Sequence, residues 1–382
     1  MARGLFIIFP GHGHVNPTIG LVSELINKGD EVVYISSDEY REKLEKVGAK
    51  FKGYTGINMT SKNADIHKKS LDLAFEEDGE FDYIVVDPFI NPGTKIIKKF
   101  NIKKVIQSVT TFALNKNMSQ RIFEYNQKRG SVELAKMLKD KFFTGFEEIN
   151  KEYGVIAPKS MVEVMKGVNS DLKIVFTSRY YQPEVESFDD TYKFVGPSIF
   201  DRKELSDFKI SNPDNKKLIY LSLGTLANKN FSFYHEAFKA LGDNNDVKVI
   251  MSIGKGNKIE ELGQVPSNFD IYNYVPQLEV LKQIDLFITH GGMNSSSEAL
   301  YNGIPLIVVP QMAEQPVVAA RVEELGAGIN LIEKQTANDI KEAVEAILNN
   351  SSYKENAIKI GESLKNSGGY QKATELIHEI LK

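Results

Sequence analysis

The sequence predicts an α/β protein with two doubly wound domains, each built from a parallel sheet covered by helices. At 382 residues the chain exceeds the length at which one hydrophobic core stops growing, so we expect two domains. Short apolar runs alternate with stretches of helical period from end to end, which is typical of βαβ units. The alternation lapses in a polar stretch at residues 196–217, where we expect an interdomain linker.

The apolar runs predict the positions of the strands. In the first half we predict strands at residues 5–9, 31–35, 83–86, 104–107, 173–176 and 192–195. In the second half we predict them at residues 218–223, 247–253, 269–274, 286–289 and 305–309. The chain then ends in helical patterns that separate near residues 367–369. These patterns predict an N-terminal domain at 1–196, a linker at 197–217, a C-terminal domain at 218–365 and a final helix at 366–382.

The first helix has clear boundary signals. Asn16 can cap it, and Pro17 then occupies the first helical position, where its missing N–H costs nothing. Gly29 is expected to end it. In doubly wound sheets, ligands bind beyond the carboxyl ends of the strands, near such helix N-termini, so we expect the functional loops in a cleft between the domains.

Composition excludes several classes of function. The net charge of −4 lacks the basic excess that nucleic-acid binding requires. The absence of cysteine removes disulfides, thiolate nucleophiles and Cys-based metal sites, and is compatible with the reducing cytoplasm. The N-terminal apolar run at residues 5–9 is shorter than a signal-peptide core of roughly 7–15 residues or a membrane span of about 20. We therefore expect a cytoplasmic protein without stable membrane association or nucleic-acid partners.

A glycine- and histidine-rich stretch at residues 11–17 follows the first predicted strand. Either His12 or His14 can act as a general base near neutral pH, whereas a zinc site is disfavoured because no further histidine clusters with them in sequence. An imidazole base works better beside a carboxylate, and Asp87 ends the strand at 83–86. The alternative for Asp87 is capping of a turn or of a helix that begins near Asn91.

A second stretch, residues 290–298, leaves the strand at 286–289 and opens a helix. Its small residues allow backbone N–H groups and hydroxyls to approach a diphosphate, whose charge the helix dipole favours. His290 can donate a further hydrogen bond, and Glu298 is suited to ribose hydroxyls. The alternative is a capping box formed by Ser295 and Glu298, which needs no ligand.

Two flanking segments extend this second stretch. Tyr274, Val275, Pro276 and Gln277 close the preceding strand and can present an aromatic face and a backbone edge to a nucleobase. Glu314 and Gln315 follow the strand at 305–309 and can hydrogen-bond sugar hydroxyls. The order and spacing of these pieces are more informative than any single piece.

Together these residues resemble the donor-binding signature of family 1 UDP-glycosyltransferases. The resemblance rests on Val275-Pro276-Gln277, Thr289 to Ser295, Glu298, Gly303-Ile304-Pro305, Pro310 and Glu314-Gln315. Gly13-His14-x-x-Pro17 is similar to the catalytic loop of the same family. The resemblance covers nearly the whole chain, including residues 194–197 and 222–225, and within the family it is greatest to the bacterial macrolide-type enzymes.

The resemblance implies the GT-B fold, an N-terminal acceptor domain, a C-terminal donor domain and a last helix that crosses back to the first domain. It also implies inverting transfer without a metal or a cofactor, the UDP-sugar being a co-substrate. By position, His14 would be the general base and Asp87 its partner, with His12 a loop residue. The implied donor contacts are Thr225, His290, Gly292, Asn294 and Ser295 for the diphosphate, Tyr274, Val275 and Gln277 around the base, Glu298 for the ribose, and Glu314 with Gln315 for the sugar. Many relatives have Trp where Tyr274 stands, and Tyr stacks with less area.

The resulting functional hypothesis is transfer of a sugar, glucose by resemblance, from a UDP-sugar to a hydroxyl of a small apolar, phenolic or macrolide acceptor. A UDP-sugar epimerase shares this architecture and needs no acceptor, and a non-catalytic nucleotide-sugar sensor would not need the His14–Asp87 pair. A lipid-directed transferase is a further alternative, because lysines at 95–104 alternate with apolar residues, although a solvated crossover helix has the same pattern. A helical insertion at about 115–154 is expected to wall the acceptor pocket.

Overall fold

The structure, a computed structural model, describes residues 1–129, 139–200, 208–225, 228–311 and 314–382. The chain divides into two compact units, Met1–Phe200 with Asn366–Lys382, and Asp201–Lys365. Parts of the predicted linker (201–207) and of the predicted insertion (130–138) lie outside the described residues.

The first unit contains, within its described residues, a seven-stranded parallel sheet in the order β3-β2-β1-β4-β5-β6-β7. Its strands are β1 Arg3–Ile7, β2 Glu31–Ser37, β3 Lys50–Tyr54, β4 Tyr83–Val86, β5 Lys104–Val109, β6 Leu172–Val175 and β7 Tyr192–Phe194. Its helices before the second unit are α1 His12–Asn27, α2 Arg41–Glu45, α3 Asn63–Phe75, α4 Gly93–Lys99, α5 Lys116–Arg129, α6 Glu147–Tyr153 and α7 Met161–Lys166.

The second unit contains, where it is described, a six-stranded parallel sheet in the order β10-β9-β8-β11-β12-β13. Its strands are β8 Lys217–Ser222, β9 Val247–Ser252, β10 Phe269–Tyr272, β11 Leu286–Thr289, β12 Leu306–Val308 and β13 Gly328–Asn330. Its helices are α8 Phe231–Leu241, α9 Gln277–Leu281, α10 Met293–Tyr301, α11 Gln315–Glu324, α12 Ala337–Leu348 and α13 Ser351–Asn366. Both units are therefore doubly wound, as the sequence predicts.

The apolar runs are continuous because each sheet is buried on both faces. In the first unit, Phe6 and Tyr34 belong to one core, while the alternating Leu5 and Val33 belong to the core on the opposite face. Strands β3 and β13 were not predicted. Strand β3 is a sheet edge with Lys50 and Lys52 in it, and charged edges are common because they prevent pairing with other chains. Strand β13 has three residues, too few for a periodic signal.

The predicted start of the first helix is wrong. Helix α1 begins at His12, because the Gly11 carbonyl already accepts the N–H groups of His14 and Val15, both at 2.9 Å. Pro17 lies inside the helix, where its missing N–H removes the bond to the Gly13 carbonyl. The histidine-rich stretch is therefore the first turn of a helix. The predicted end of helix α1 is confirmed, because Gly29 follows the helix with a φ of 97°.

The last helix, α14 Gly369–Ile380, belongs to the first unit. It packs on α1, where a Cβ at Gly20 would lie only 2.9 Å from the Tyr370 ring. At its far end, the His378 ring is 3.0 Å from Asp30 Oδ2, and the Tyr83 hydroxyl donates to the same oxygen at 3.0 Å. These contacts join the end of the chain to the first sheet.

The lysine-rich stretch at 95–104 begins within helix α4 and ends at the first residue of β5. Its apolar residues Ile96 and Phe100 are fully buried in the first unit's core. Lys95 donates to the Lys151 carbonyl at 3.1 Å, and Lys104 lies 3.8 Å from Asp171. The stretch thus has the contacts of a crossover helix with a solvated face. Among the described residues, no helix combines the length and the apolar character needed to cross a bilayer.

Candidate active site

The order of strands reverses direction at one point in each sheet. In the first unit β1 lies between β2 and β4, and in the second β8 lies between β9 and β11. At such points the loops after the two central strands diverge and leave a crevice that binds ligands in doubly wound proteins. The residues that follow β1, β4, β8 and β11 are the ones that sequence analysis singled out.

His14 and Asp87 meet at the switch point of the first unit. His14 Nδ1 lies 2.6 Å from Asp87 Oδ2. The Asp87 side chain is fully buried, whereas 16% of the His14 side chain is exposed. With Nδ1–H donated to the carboxylate, Nε2 is the ring nitrogen that carries the basic lone pair. Chemically, an imidazole held in this way can accept a proton at Nε2 while the carboxylate offsets the resulting charge.

Asp87 also caps the turn that follows it, as the alternative interpretation of this residue expected. Its Oδ1 accepts the Phe89 N–H at 2.9 Å, while Oδ2 faces His14. The main chain of the turn is fixed in addition by the Ile90 N–H, which donates to the Asp87 carbonyl at 2.9 Å. The turn therefore holds the carboxylate in the orientation that His14 requires.

Helix α3 supports the same turn through two buried side chains one helical turn apart. Asn63 Nδ2 donates to the Phe89 carbonyl at 3.1 Å, and His67 Nε2 accepts the Asn91 N–H at 2.9 Å. His67 Nδ1 lies 2.8 Å from the Asn63 carbonyl, so the neutral ring donates at one nitrogen and accepts at the other. Burial lowers the pKa of His67 to about 4, which keeps the ring neutral near pH 7. Sequence analysis missed both residues, because nothing in their spacing connects them with Asp87.

Apolar rings surround the His14 imidazole. Phe9 and Phe89 each place a ring centroid 5.2 Å from that of His14, and Phe142 packs against Phe89 at 5.6 Å. Met59 lies beside Gly11, where an added Cβ would be 3.6 Å from its terminal methyl. Phe89 could have been found from sequence, since it lies two residues after Asp87. His12, by contrast, is exposed and packs on the Tyr40 ring, away from this pair.

His290 lies at the equivalent switch point of the second unit, directly after β11. A Cβ at Gly224 or Gly292 would collide with its ring, so both positions require glycine. Gly224 and Gly291 also adopt φ values of 75° and 84°, which favour glycine. Loss of solvation lowers the pKa of the His290 ring to about 4. A hydrogen bond with the Ser222 backbone opposes this shift but has the smaller effect. Near pH 7 this ring is a neutral hydrogen-bond donor.

The alternative interpretation of Ser295 and Glu298 as a capping box is excluded by the structure. Helix α10 begins at Met293 after the N-cap Gly292, so Ser295 lies inside its first turn and makes no cap. Glu298 is 4% exposed, and Gln277 Nε2 donates to its Oε2 at 2.6 Å. Gln277 Nε2 also lies 3.2 Å from Ser295 Oγ. Gln277, Ser295 and Glu298 thus form one polar cluster beside the helix N-terminus.

The remaining predicted donor residues lie on neighbouring loops of the second unit. Tyr274 is 45% exposed with Lys255 Nζ 5.1 Å from its ring centroid, and Val275 beside it is buried. Thr225 is exposed after β8, and Asn294 lies in the first turn of α10. Glu314 precedes α11 and Gln315 begins it, where Gln315 Oε1 accepts the Gln311 N–H at 2.8 Å. A Cβ at Gly291 would lie 3.3 Å from the Gln315 carbonyl oxygen, so this helix start adjoins the His290 turn.

In the described ranges, no group of three or more His, Asp or Glu side chains is arranged to hold a metal ion.

The architecture matches that of solved glycosyltransferases. The glycotransferase of kitacinnamycin has a TM-score of 0.81 to this protein at 24% identity, over 99% of this chain and 98% of that one. With its two doubly wound units, the protein has the GT-B fold.

Sequence comparison gives the family. Residues 202–366 match the family model for UDP-glucoronosyl and UDP-glucosyl transferases. YojK of Bacillus subtilis, named as an uncharacterized UDP-glucosyltransferase, is 37% identical over 100% of this chain and 98% of its own length. The oleandomycin glycosyltransferase of Streptomyces antibioticus is 26% identical over 96% of this chain and 88% of its own length. The chain belongs to family 1 of the UDP-dependent glycosyltransferases, in the subgroup of bacterial macrolide-type enzymes.

Proposed function

We propose that this enzyme transfers a sugar, glucose in the first instance, from a UDP-sugar to a hydroxyl of a small apolar acceptor, with inversion at the anomeric carbon. The observation that carries the proposal is the 2.6 Å contact between His14 Nδ1 and the buried Asp87 carboxylate at the first unit's switch point. A hydroxyl is a weak nucleophile until a base removes its proton, and a positioned imidazole performs this step near neutral pH.

In the proposed step, Nε2 of His14 accepts the acceptor's hydroxyl proton while the oxygen forms a bond to the anomeric carbon. The bond from that carbon to the diphosphate oxygen breaks at the same time, and UDP leaves with the electron pair. The proton makes His14 an imidazolium in the first turn of α1, where the helix dipole disfavours a positive charge. The Asp87 carboxylate offsets this cost, which explains why the base needs a buried anion beside it.

The departing diphosphate would be stabilised by groups at the second unit's switch point. His290 is suited to donate one hydrogen bond as a neutral ring, and the Gly292 N–H, Asn294 and Ser295 surround the start of α10. Such donors are oriented before the reaction, so they meet the growing negative charge at little reorganisation cost. Thr225 would contribute a hydroxyl from the loop after β8.

The rest of the donor would bind to the loops around this turn. We assign the ribose hydroxyls to Glu298, whose carboxylate Gln277 orients through the 2.6 Å hydrogen bond. Tyr274 would stack on the uracil base next to the backbone of Val275, because this tyrosine is 45% exposed. Glu314 and Gln315 would bind the transferred sugar from the start of α11.

The surroundings of His14 support an apolar acceptor. Phe9, Phe89 and Met59 line the immediate neighbourhood of the base, and Phe142 extends the apolar surface. The relationship to an oleandomycin glycosyltransferase supports acceptors of macrolide size, and phenols fit the same apolar chemistry.

A panel of UDP-sugars and TDP-sugars incubated with phenolic and macrolide acceptors, read by mass spectrometry, tests this function. We expect a hexose mass increase with at least one UDP-sugar that depends on both acceptor and enzyme. A parallel incubation with the donor alone distinguishes the epimerase, which would form an epimeric nucleotide sugar without acceptor. Formation of that epimer, with no glycosylated acceptor in any arm, would contradict the proposal.

A further inference from the structure

Three asparagines connect the loops that follow neighbouring strands β8, β9 and β10 in the second unit. Asn228 and Asn257 are 8% and 6% exposed, and Asn273 is half-buried. They lie at the carboxyl ends of these strands, the same edge of the sheet as the His290 turn. We call these three residues the asparagine chain.

The side-chain amides of the asparagine chain all donate to main-chain carbonyls. Asn273 Nδ2 donates to the carbonyls of Asn257 at 2.6 Å and Gly254 at 3.2 Å. Asn257 Nδ2 in turn donates to the carbonyls of Asn228 at 2.8 Å and Ile253 at 2.6 Å. Each amide therefore joins its own loop to the next one.

The third amide, that of Asn228, makes its hydrogen bonds within the loop after β8. Asn228 Nδ2 donates to the carbonyls of Gly224 at 3.1 Å and Thr225 at 3.3 Å. Gly254 has a φ of 87°, and a Cβ there would collide with the Asn228 amide, so this close approach requires glycine. A carboxamide can satisfy two carbonyls at once because its nitrogen carries two hydrogens.

The two ends of the asparagine chain adjoin the two ends of the proposed nucleotide site. Asn273 directly precedes Tyr274, the proposed stacking partner of the base. At the other end, Asn228 holds the carbonyl of Thr225 and that of Gly224, the residue whose Cα borders the His290 ring. We infer that the asparagine chain is a positioning network that sets the spacing between the base-binding and diphosphate-binding loops for a pyrimidine nucleoside diphosphate. This inference rests on the proposed donor site.

The network is suited to this role because its hydrogen bonds are interdependent and largely buried. Removing the Asn257 amide leaves carbonyls of two different loops, those of Asn228 and Ile253, without that donor, and such groups are costly to leave unpaired in the interior. The loops would then shift relative to each other, although no group that touches the nucleotide has been changed. The consequence is weaker binding of the whole nucleoside diphosphate, with less effect on the chemical step.

The test compares Asn257→Ala with a control at the opposite end of the same sheet. Asn268 is 9% exposed, and its Nδ2 donates to the carbonyls of Leu241 at 2.8 Å, Asn244 at 3.1 Å and Val247 at 3.4 Å. Asn268→Ala therefore removes a comparable buried amide that lies just before β10. Calorimetric titration of the full-length chain with UDP, together with the melting temperature, is measured for both variants.

We expect both variants to lower the melting temperature, but only Asn257→Ala to raise the Kd for UDP, by about tenfold or more. In steady state the donor KM of Asn257→Ala rises while its kcat changes little. Equal UDP affinity of the two variants would overturn the inference. If Asn257→Ala does not fold, Asn273→Ala is measured against the same control with the same expectation. Asn273 is the half-buried member of the asparagine chain.

A Glu298→Ala arm separates the failure of this inference from that of the donor site. Weak UDP binding by Glu298→Ala with normal binding by Asn257→Ala would reject the positioning network and leave the proposed site intact. Normal binding by both variants would reject the network and also remove the Glu298 carboxylate from the proposed nucleotide site.

Discussion

The two switch points of this protein each hold a histidine, and the two rings have opposite surroundings. His14 keeps 16% of its side chain exposed and contacts a buried carboxylate at 2.6 Å. His290 is enclosed by glycines and carries a pKa lowered to about 4, so it remains neutral near pH 7. His14 follows β1, whereas His290 follows β11, the counterpart of β4, so the two rings differ in their place at the switch point as well as in their surroundings.

The difference follows from what stands beside each ring. The strand next to β1 ends in Asp87, an anion that stabilises an imidazolium. The strand that pairs with β11 across the second switch point is β8, which leads to Gly224, and glycine offers neither charge nor bulk. Under the proposed function, the first environment suits a ring that accepts a proton, and the second suits a ring that donates to a phosphate without carrying charge of its own.

The largest effect is expected from removing the base itself. His14→Ala should reduce kcat by about 10²–10⁴-fold, the usual contribution of a positioned general base, with UDP affinity preserved. Steady-state kinetics and UDP titration measure the two quantities. Activity within tenfold of the parent enzyme would exclude His14 from this role.

Removing only the charge of its partner should have the next largest effect. Asp87→Asn keeps an oxygen for the Phe89 N–H but removes the anion beside His14. We expect kcat to fall by about 10–10³-fold, because the imidazolium loses its stabilising charge and the ring its fixed tautomer. A pH–rate profile with the parent's shape and height would show that Asp87 serves only the turn.

On the donor side, Glu298→Ala should raise the Kd for UDP by about 10–100-fold, the loss expected for hydrogen bonds to a charged group. The matched control is Thr336→Ala, which breaks an authentic capping box with Asp339 at the start of α12. That control should lower stability by about 1 kcal/mol and leave UDP affinity unchanged. Normal UDP affinity in Glu298→Ala would remove the carboxylate from the nucleotide site.

The smallest effect concerns stability. His67 has a pKa of about 4 when folded and an ordinary pKa of 6.5, so the unfolded chain binds more protons between these values. Stability should therefore fall as the pH drops from 7 to 5, by about 2 kcal/mol from His67 alone. Urea unfolding of the parent and of His67→Gln at both pH values measures this, and the variant should lose less stability on acidification. Equal losses would show that His67 is not buried as a neutral ring.

The doubly wound fold could be predicted well because the signals for its strands are short runs of neighbouring residues in the sequence. Strands at Tyr83–Val86 and Leu286–Thr289 are continuous apolar runs, and burial on both sheet faces demands such runs. The start of α1 was predicted five residues too late, because Asn16 and Pro17 are typical start signals, whereas the glycine carbonyl that begins the helix has no side-chain signature.

Residues that act through tertiary contacts were beyond prediction. His67 and Asn63 support Asp87 from α3, and the asparagine chain joins three loops far apart in sequence. For Glu298 the sequence pattern was ambiguous, and only the position of Gly292 as the N-cap excluded the capping box. Local periodicity determines where elements lie, while such support depends on which elements become neighbours.

A crystal structure with UDP and a phenolic or macrolide acceptor is the most direct test of the central claim. We expect the diphosphate at the first turn of α10, within hydrogen-bond reach of His290 and Ser295, and the acceptor hydroxyl about 3 Å from His14 Nε2. A diphosphate bound away from the His290 turn, or an acceptor hydroxyl out of reach of His14, would contradict it.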